Sequence, residues 1–300
     1  MFIYTTNKIP PIMMIKDIDT NIVYLADKLE KKYSDFYKRF TNLLNEMGIE
    51  WKVIPDTNDI WARDYMPLQM SDGRFIRYCY NPDYLQEKKY IKSKTAPALV
   101  CDAMGIECNT CTKDDKEIVI DGGNVTLCGD YIVMTDKVFT ENGKEKNDPQ
   151  FKKVLEEVLG QEIIIIPWHC IDPNDEEADV YGHSDGFLHW CGGNRVLMSN
   201  HRDFDPQEAT EIRHILESYG FEVTEMLFNV DKPYKRNWAY INYLQVGSKI
   251  IMPSFGVAED RQALAYVQEA NPGCEIRQIR MADIAANGGA LHCITWNIKE

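Results

Sequence analysis

Five short polar segments recur along this 300-residue sequence, and their residue types could act together on a planar cation. In chain order the segments contain Asp64, Asp121, the pair His183 and Asp185, Asn242, and Cys293. A thiolate nucleophile needs a proton acceptor or a cationic neighbour, and His183 can be either. Carboxylates such as Asp64 and Asp185 accept the fork of N–H donors that a guanidinium or amidinium group presents. This set of residues therefore suggests attack by a thiol on the central carbon of such a group.

The segment around Cys293 would be unremarkable by itself. Gly288 and Gly289 precede the apolar run Leu291–Trp296, which predicts a short buried strand with the cysteine near its start. A rigid scaffold can present a reactive group where a loop meets a strand. One cysteine among nine would more often pack as a small hydrophobic residue, however. Only the other four polar segments favour the catalytic interpretation.

A repeated structural unit spaces these segments along the chain. Five helical patterns each end at or just before a glycine, which can supply the left-handed residue that terminates a helix. The glycines are Gly48, Gly105, Gly160, Gly220 and Gly273, at intervals of 57, 55, 60 and 53 residues. The predicted helices are Ser34–Met47, Ala96–Met104, Asp148–Leu159, Asp205–Tyr219 and Glu259–Ala270. Predicted strands follow at Glu50–Ile54, Glu162–Pro167, Phe221–Met226 and Glu275–Ile279.

Each unit also contains a hairpin signal, such as Gly129-Asp130 or Gly247-Ser248 between two strand-like runs. A fixed period of this size indicates stacked or radial units. We therefore predict an α/β fold in which one domain, residues 1–300, contains five ββαβ units around an axis. The fifth unit lacks a second strand because the sequence ends at Glu300. We expect Met1–Thr5 to supply that strand and close the ring.

Composition excludes several classes of function. The chain has 33 basic and 47 acidic residues, a net charge of −14, and no basic run, so we expect no nucleic-acid partner. It has no run of 18 apolar residues, and Met1–Ile15 is interrupted by polar residues and prolines, so we expect neither a membrane span nor a secretory signal. Nine cysteines without framework spacing predict a cytoplasmic protein. A homo-oligomer is compatible with this sequence.

Metal chemistry is the main competing interpretation. Cys108 and Cys111 form a Cys-x-x-Cys pair, and Cys128 follows at nearly the interval of a zinc ribbon. The residue three positions after Cys128 is Tyr131, which is not a zinc ligand, so the four-ligand set is incomplete. The sequence also lacks a phosphate-binding loop and a dinucleotide fingerprint. We therefore expect no metal and no cofactor.

The sequence resembles the agmatine deiminase and bacterial-type peptidylarginine deiminase family of guanidine-modifying enzymes. The resemblance rests on Asp59–Pro67, Gly182–Asp185, Asn242 and Gly288–Thr295, in order along nearly the whole chain. It implies a five-bladed pseudo-symmetric α/β propeller, the pentein fold. It also implies Cys293 as the nucleophile, His183 as general acid and base, and Asp64 and Asp185 as ligands of the guanidinium. The further candidates for substrate contacts are Trp61, Arg63, Asp121 and Asn242.

Several assignments stay open on the sequence alone. Trp61 fits either the pocket wall or the core, and Asp121 fits either a contact to the far end of the substrate or a turn cap. His292 lies on the opposite face of the predicted strand from Cys293, so we expect a structural role. An amidinotransferase would use the same nucleophile with an amine acceptor. A non-catalytic propeller that binds a partner is disfavoured because the cysteine, the histidine and both aspartates are present.

The substrate is predicted from the region near the pocket mouth. The family usually has glycine where Met66 stands, and agmatine deiminases typically carry glutamate where Asp121 stands. Peptidylarginine deiminases of the bacterial type carry arginines in the segment that reads Tyr80–Tyr84 here, where none occurs. Agmatine is therefore favoured, with N-carbamoylputrescine and ammonia as products of a covalent cysteine thiouronium intermediate. Arginine and peptidylarginine are the alternatives, and Arg236 could serve either of them from the fourth unit.

Overall fold

The computed structural model describes residues 12–169, 179 and 181–300. Within these residues short strands and helices alternate along the chain. The strands are β1 (Ile22–Ala26), β2 (Glu50–Ile54), β3 (Leu68–Gln69), β4 (Phe75–Arg77), β5 (Cys108–Thr110), β6 (Thr112–Lys113), β7 (Lys116–Glu117), β8 (Thr126–Cys128), β9 (Tyr131–Thr135), β10 (Glu162–Ile166), β11 (Leu188–Trp190), β12 (Arg195–Met198), β13 (Glu222–Glu225), β14 (Leu244–Val246), β15 (Lys249–Ser254), β16 (Glu275–Arg280) and β17 (Thr295–Ile298). The helices are α1 (Asp27–Lys32), α2 (Ser34–Glu46), α3 (Ala62–Tyr65), α4 (Lys88–Ile91), α5 (Pro97–Met104), α6 (Lys137–Glu141), α7 (Pro149–Leu159), α8 (Pro206–Ser218), α9 (Glu259–Ala270) and α10 (Ala282–Ala285).

Five three-stranded sheets share one strand pattern. In each sheet the first strand pairs antiparallel with the middle strand, and the middle strand pairs parallel with the third. In strand order the sheets are β17-β1-β2, β3-β4-β5, β8-β9-β10, β11-β12-β13 and β14-β15-β16. A parallel pair requires a crossover connection. Helices α1 and α2, α5, α6 and α7, α8, and α9 lie in the five crossovers.

The five predicted helices are confirmed to within one residue at each end. Helices α7 and α8 begin where the sequence suggests, because Asp148 and Asp205 accept hydrogen bonds from first-turn amides and a proline follows each. The five predicted glycines all have left-handed backbones, with φ between 61° and 88°, but α9 is capped by Asn271, so that Gly273 does not terminate that helix. The four predicted strands after the glycines are also confirmed.

The sheet that joins the two ends of the described chain differs from the prediction. The predicted partner, Met1–Thr5, lies outside the described residues. Strand β17 instead pairs with β1, in the register Ile22↔Ile298, and β1 continues the sheet to β2. All five residues of Ile22–Ala26 are buried. A continuous apolar run of this length is typical of a strand covered on both faces.

The helices cover the sheets and connect neighbouring units. Ala209, Ile212 and Leu216 of α8 belong to one apolar cluster with Ile164 of β10 and Val223 of β13. This cluster therefore contains residues from two consecutive sheets, which fixes one unit against the next. None of the helices in the described ranges is long and apolar enough to cross a membrane.

Candidate active site

Cys293 lies in a turn, because residues 291–294 precede β17 instead of forming the predicted strand Leu291–Trp296. The side chain of Asn242 shapes this turn. Its Oδ1 accepts hydrogen bonds from the backbone N–H of Ala290 at 3.0 Å and of Cys293 at 3.2 Å. These two backbone amides therefore donate their hydrogen bonds to a side chain and not to a neighbouring strand. The strand prediction was wrong because a long-range hydrogen bond replaced the ladder.

Asn242 helps to fix the position of Cys293. It was expected within a strand but follows the 3-10 helix Asn237–Ile241. Its Nδ2 donates to the backbone oxygen of Asp185 at 3.2 Å. One buried amide side chain therefore ties the Cys293 turn to the backbone beside Asp185. These bonds use both ends of the amide, so the geometry favours a positioning role over the predicted contact with substrate.

Three buried carboxylates surround the thiol and the imidazole. Asp64, Asp121 and Asp185 are 5%, 1% and 4% exposed. The Oδ1 atom of each accepts no hydrogen bond from any described residue. The Cys293 thiol is 3.6 Å from Asp185 Oδ2. A buried carboxylate oxygen without a donor is costly, so three of them together indicate a place for a ligand with several N–H groups and a positive charge.

His183 is held between two of these carboxylates. Its Nε2 is 2.9 Å from Asp121 Oδ2, and its Nδ1 is 3.6 Å from Asp64 Oδ1. Burial by itself would lower the pKa of His183, but the negative charge of Asp64 and the hydrogen bond to Asp121 raise that pKa to about 10. The ring is therefore an imidazolium at neutral pH and can donate a proton.

His183 and Asp185 both belong to the buried cluster, although they do not lie in a strand. The backbone forms a 3-10 helix at Ser184–Gly186, immediately after His183. His183 consequently contacts Asp121, whereas Asp185 Oδ2 accepts a hydrogen bond from His292 at 2.6 Å. The buried histidine that is bonded to Asp185 is therefore His292 and not His183.

Asp121 belongs to the buried cluster around His183. Its Oδ2 is bonded to His183 and also accepts a hydrogen bond from the Tyr84 hydroxyl at 2.9 Å. The glycine two positions later permits this packing. A Cβ atom at Gly123 would lie 2.6 Å from His183 Nδ1 and 2.8 Å from Asp64 Oδ1. Gly123 is therefore required for close approach of the backbone to the imidazole.

The charge of the cluster keeps the thiol protonated in the absence of substrate. Burial, followed by the charges of Asp185 and Asp64, raises the pKa of Cys293 well above its ordinary value of 9.0. Burial also raises the pKa of Asp64, with Asp121 and Asp185 adding to the rise and His183 opposing it. A thiolate–imidazolium pair between Cys293 and His183 in the free protein is therefore disfavoured. A bound cation would reverse these effects, because it stabilises each negative charge.

Trp61 and Arg63 occupy different sides of the cluster. Trp61 packs against the main apolar core and lies over the Cys293 turn, since a Cβ at Gly289 would be 2.4 Å from its indole ring. The Arg63 guanidinium donates to the Asn297 side chain. It lines a cavity of about 60 Å³ behind the site, whose described lining includes neither Cys293 nor His183. The predicted substrate contact of Arg63 therefore has no support in the geometry.

That rear cavity has both polar and apolar walls and is too small for a guanidino-alkylamine, although it could hold a few waters. His292 lines this cavity together with Asp185. Its Nδ1 bonds Asp185 Oδ2, and its Nε2 is 3.3 Å from Asp17 Oδ2. Burial opposes ionisation of Asp185, but the His292 hydrogen bond and charge lower the pKa of that carboxyl. Sequence reasoning missed His292 because it assumed a strand, in which neighbouring side chains face opposite ways.

Replacing His292 with glutamine is expected to reduce kcat/KM at neutral pH roughly 10- to 100-fold, the value of one hydrogen bond to a charged group. Without His292 the pKa of Asp185 rises, so the acid limb of the pH profile of kcat/KM should move to higher pH. Ammonia release measured between pH 5 and 9 would test this shift. A merely structural role would lower the melting temperature without moving the limb.

His189→Gln provides a matched control. His189 is also buried and its ring centroid is 6.4 Å from that of His292, but its Nε2 bonds Gln245 and not a carboxylate of the site. The acid limb of the pH profile of kcat/KM should therefore be at the same pH in His189→Gln as in the wild type. An identical shift in both variants would contradict a specific link between His292 and Asp185.

A family comparison agrees with this geometry. Residues 13–298 match the model of the Porphyromonas-type peptidyl-arginine deiminases. The chain belongs to this family. The matched range includes all five polar segments and therefore the residues of the buried cluster.

Individual relatives are distant but extend over most of the chain. A candidate agmatine deiminase of Selenomonas ruminantium is 25% identical over 306 residues, which cover 85% of this chain and 78% of that protein. The agmatine deiminase of Pseudomonas syringae pv. syringae is 23% identical over 277 residues, which cover 80% of this chain and 74% of that protein. Among solved structures, the C. jejuni agmatine deiminase superposes with a TM-score of 0.74 at 17% identity, covering 97% of each chain. DDAH from Pseudomonas aeruginosa gives a TM-score of 0.58 at 11% identity, covering 93% of this chain and 99% of that one. These structures share the fold.

Proposed function

We propose that this protein is a guanidine deiminase that hydrolyses agmatine to N-carbamoylputrescine and ammonia. The observation that carries the proposal is the buried cluster of one thiol, one imidazolium and three carboxylate oxygens without donors. A guanidinium has N–H donors on three nitrogens and a positive charge, which match this set in number and sign. Relatives named as agmatine deiminases support the choice of substrate.

The first half of the reaction begins with binding of the planar cation against Asp64 and Asp185. Asp185 offers its free Oδ1, since His292 occupies Oδ2. The positive charge lowers the pKa of the Cys293 thiol, which releases its proton to solvent, and the thiolate Sγ attacks the guanidinium carbon. His183 donates its proton to one terminal nitrogen as the C–N bond breaks and ammonia leaves. An S-alkylated thiouronium remains on Cys293.

The second half replaces sulfur with oxygen. Neutral His183 accepts a proton from a water molecule, and the resulting hydroxide adds to the thiouronium carbon. As the tetrahedral species collapses, its hydroxyl proton passes to the sulfur, the C–S bond breaks, and the ureido product departs. Cys293 recovers its thiol and His183 its proton. Fixed carboxylates around a planar cation can supply several kcal/mol of the barrier reduction through position and charge.

The architecture we propose is a five-bladed α/β propeller that forms one catalytic domain over residues 1–300. Five sheets of identical strand pattern support it, as does the sheet in which β17 and β1 join the two ends of the described chain. The site residues are distributed accordingly. Asp64, Asp121, Asp185 and Asn242 each precede the first strand of a different sheet, and Cys293 precedes β17. Radial symmetry would bring these five positions to one axis.

Asp121 and Asp83 are the carboxylates in the segments predicted to form the pocket mouth, and both already have partners. Asp121 is bonded to His183 and Tyr84, and Asp83 is paired with the Lys137 ammonium at 2.8 Å. Neither carboxylate is therefore a free partner for the ammonium of agmatine. The Tyr84 ring lies 5.0 Å from that of Tyr181, and both centroids are 6.2 Å from His183. These aromatic faces beside the imidazole could cover an alkyl chain or a cation.

Agmatine is expected to show a kcat/KM at least tenfold above those of free arginine and of an arginine-terminated peptide, a difference of about 1.4 kcal/mol. Both disfavoured substrates carry a carboxylate, which a protein of net charge −14 would repel. A panel of the three guanidines, assayed for ureido product and ammonia, provides the measurement. A preference of tenfold or more for a carboxylate-bearing substrate would overturn the choice of agmatine.

The same panel separates the other functions. Ammonia release without an added amine indicates hydrolysis, whereas dependence on an amine would identify an amidinotransferase. If arginine or the peptide is preferred, the Arg236→Ala variant should abolish that preference without changing turnover of agmatine. No turnover of any guanidine would leave a non-catalytic binding protein as the better description.

A further inference from the structure

A second cluster of ligand-type side chains lies outside the site, where the chain leaving β10 meets the start of α8. His169 Nδ1 is 3.3 Å from Asp205 Oδ2 and 3.6 Å from Glu208 Oε1. The three atoms all lie within 4.8 Å of one another. None of these residues has a part in the proposed reaction.

Hydrogen bonding accounts for only part of the cluster, since His169 Nδ1 is within hydrogen-bond distance of Asp205 Oδ2 but Glu208 Oε1 has no such partner among the described residues. Glu208 is 1% exposed, yet its Oε1 accepts no hydrogen bond within the described chain. The imidazole of His169 is too far from this oxygen to donate to it. Glu208 Oε1 therefore faces two other potential ligands and has no hydrogen-bond donor within the described residues. A cation would satisfy it.

The separations suit a metal ion. Bonds of 2.0 to 2.2 Å from zinc to nitrogen and oxygen place tetrahedral ligands about 3.3 to 3.5 Å apart. The two measured separations from His169 Nδ1, 3.3 and 3.6 Å, agree with this value. Imidazole with carboxylates is a ligand set typical of divalent first-row transition metals.

Neighbouring groups hold the ligands in place. Asp205 caps α8 through Oδ1, which accepts from the amides of Gln207 and Glu208, so that Oδ2 is turned towards His169. Glu208 Oε2 is bonded to His201 Nε2. This bond leaves Oε1 as the coordinating atom and gives His201 the position of an outer partner, a common support for metal-bound carboxylates.

We propose that His169, Asp205 and Glu208 bind one divalent transition-metal ion, with zinc as the representative ion. Two carboxylates balance its charge and outweigh the unfavourable positive end of the α8 dipole. The ligands come from both sides of a unit boundary, since His169 follows β10 and the others begin α8. The ion would therefore fasten two neighbouring units and stabilise the folded chain without taking part in catalysis.

The test measures zinc binding and thermal unfolding of the full chain in a Cys293→Ser background, which removes the site thiol as a competing ligand. Calorimetric titration with zinc chloride should give one ion per chain, and saturating zinc should raise the melting temperature. His169→Ala and Asp205→Asn should each weaken the zinc Kd by about 10- to 100-fold or more. Asparagine remains a good helix cap, so Asp205→Asn removes a ligand without removing the cap.

His214→Ala is the matched control, because His214 is an exposed histidine on the same helix. It should leave the zinc Kd unchanged. Absence of binding, or binding that is insensitive to both ligand variants, would overturn the proposal. Loss of binding in His214→Ala to the same degree would also overturn it, since it would indicate adventitious zinc on surface histidines.

Discussion

Replacing Cys293 with serine is expected to reduce ammonia release from agmatine at least about 10⁴-fold. A serine hydroxyl is far less acidic than a thiol, and a bound cation cannot lower its pKa enough to ionise it. His183 cannot act as the base for this step because Asp64 and Asp121 hold it as an imidazolium. The three carboxylates remain, so agmatine should still bind. Ammonia release and calorimetric titration with agmatine measure the two properties.

Cys274→Ser controls for loss of a thiol as such. Cys274 is a partly exposed free cysteine between α9 and β16, remote from the five polar segments in sequence. Its variant should retain wild-type turnover. If Cys293→Ser kept more than about one per cent of the wild-type rate, the assignment of the nucleophile would be wrong.

Replacing His183 with glutamine is expected to reduce kcat by roughly 10² to 10⁴, the usual contribution of a general acid and base. Both proton transfers depend on this ring, first to the departing ammonia and then from water. Single-turnover measurements should show slow formation and slow hydrolysis of the enzyme-bound intermediate. Normal rates for both steps would assign proton transfer to another group.

The pH profile tests how His183 obtains its proton. The hydrogen bond and charge of Asp121 help to raise the pKa of His183 to about 10, so Asp121→Asn should lower that pKa towards its ordinary value of 6.5. The imidazolium would then lose its proton at lower pH. The alkaline limb of the pH profile of kcat should therefore move measurably to lower pH. Tyr84→Phe is the control, because it removes a donor to the same Asp121 oxygen but leaves the charge. An unchanged limb in Asp121→Asn would contradict the role of this carboxylate.

Local signals account for what the sequence predicted correctly. A helix that ends at a glycine needs only a periodic apolar face and one left-handed residue, so Gly160 and its helix α7 could be recognised from neighbouring residues. Repetition of this signal at nearly constant intervals predicted five units. The residue types of the site could also be predicted, since a thiol, an imidazole and carboxylates indicate a chemistry before their distances are known.

Long-range contacts account for what the sequence did not predict. Cys293 lies in a turn because Asn242, 51 residues earlier, accepts its amide hydrogen. Asp121 bonds an imidazole 62 residues away and is therefore unavailable to the substrate tail. The role of His292 depends on Asp185, from another unit, and on Asp17, which is 275 residues earlier in the chain. No local pattern encodes such pairings, so the roles of these residues were assigned only after the fold placed them.

The pairing of β17 with β1 has a consequence for how the site assembles during folding. Ile22 and Ile298 are neighbours in one sheet, and closing a chain segment of this length costs about 5 kcal/mol of entropy. The nucleophile is two residues from β17, so the thiol reaches its carboxylates only when this closure has occurred. In a partly folded chain the carboxylates are therefore distant from the thiol, and no catalytic site exists. Reactivity towards guanidines is a property of the whole cooperative structure and of none of its five units alone.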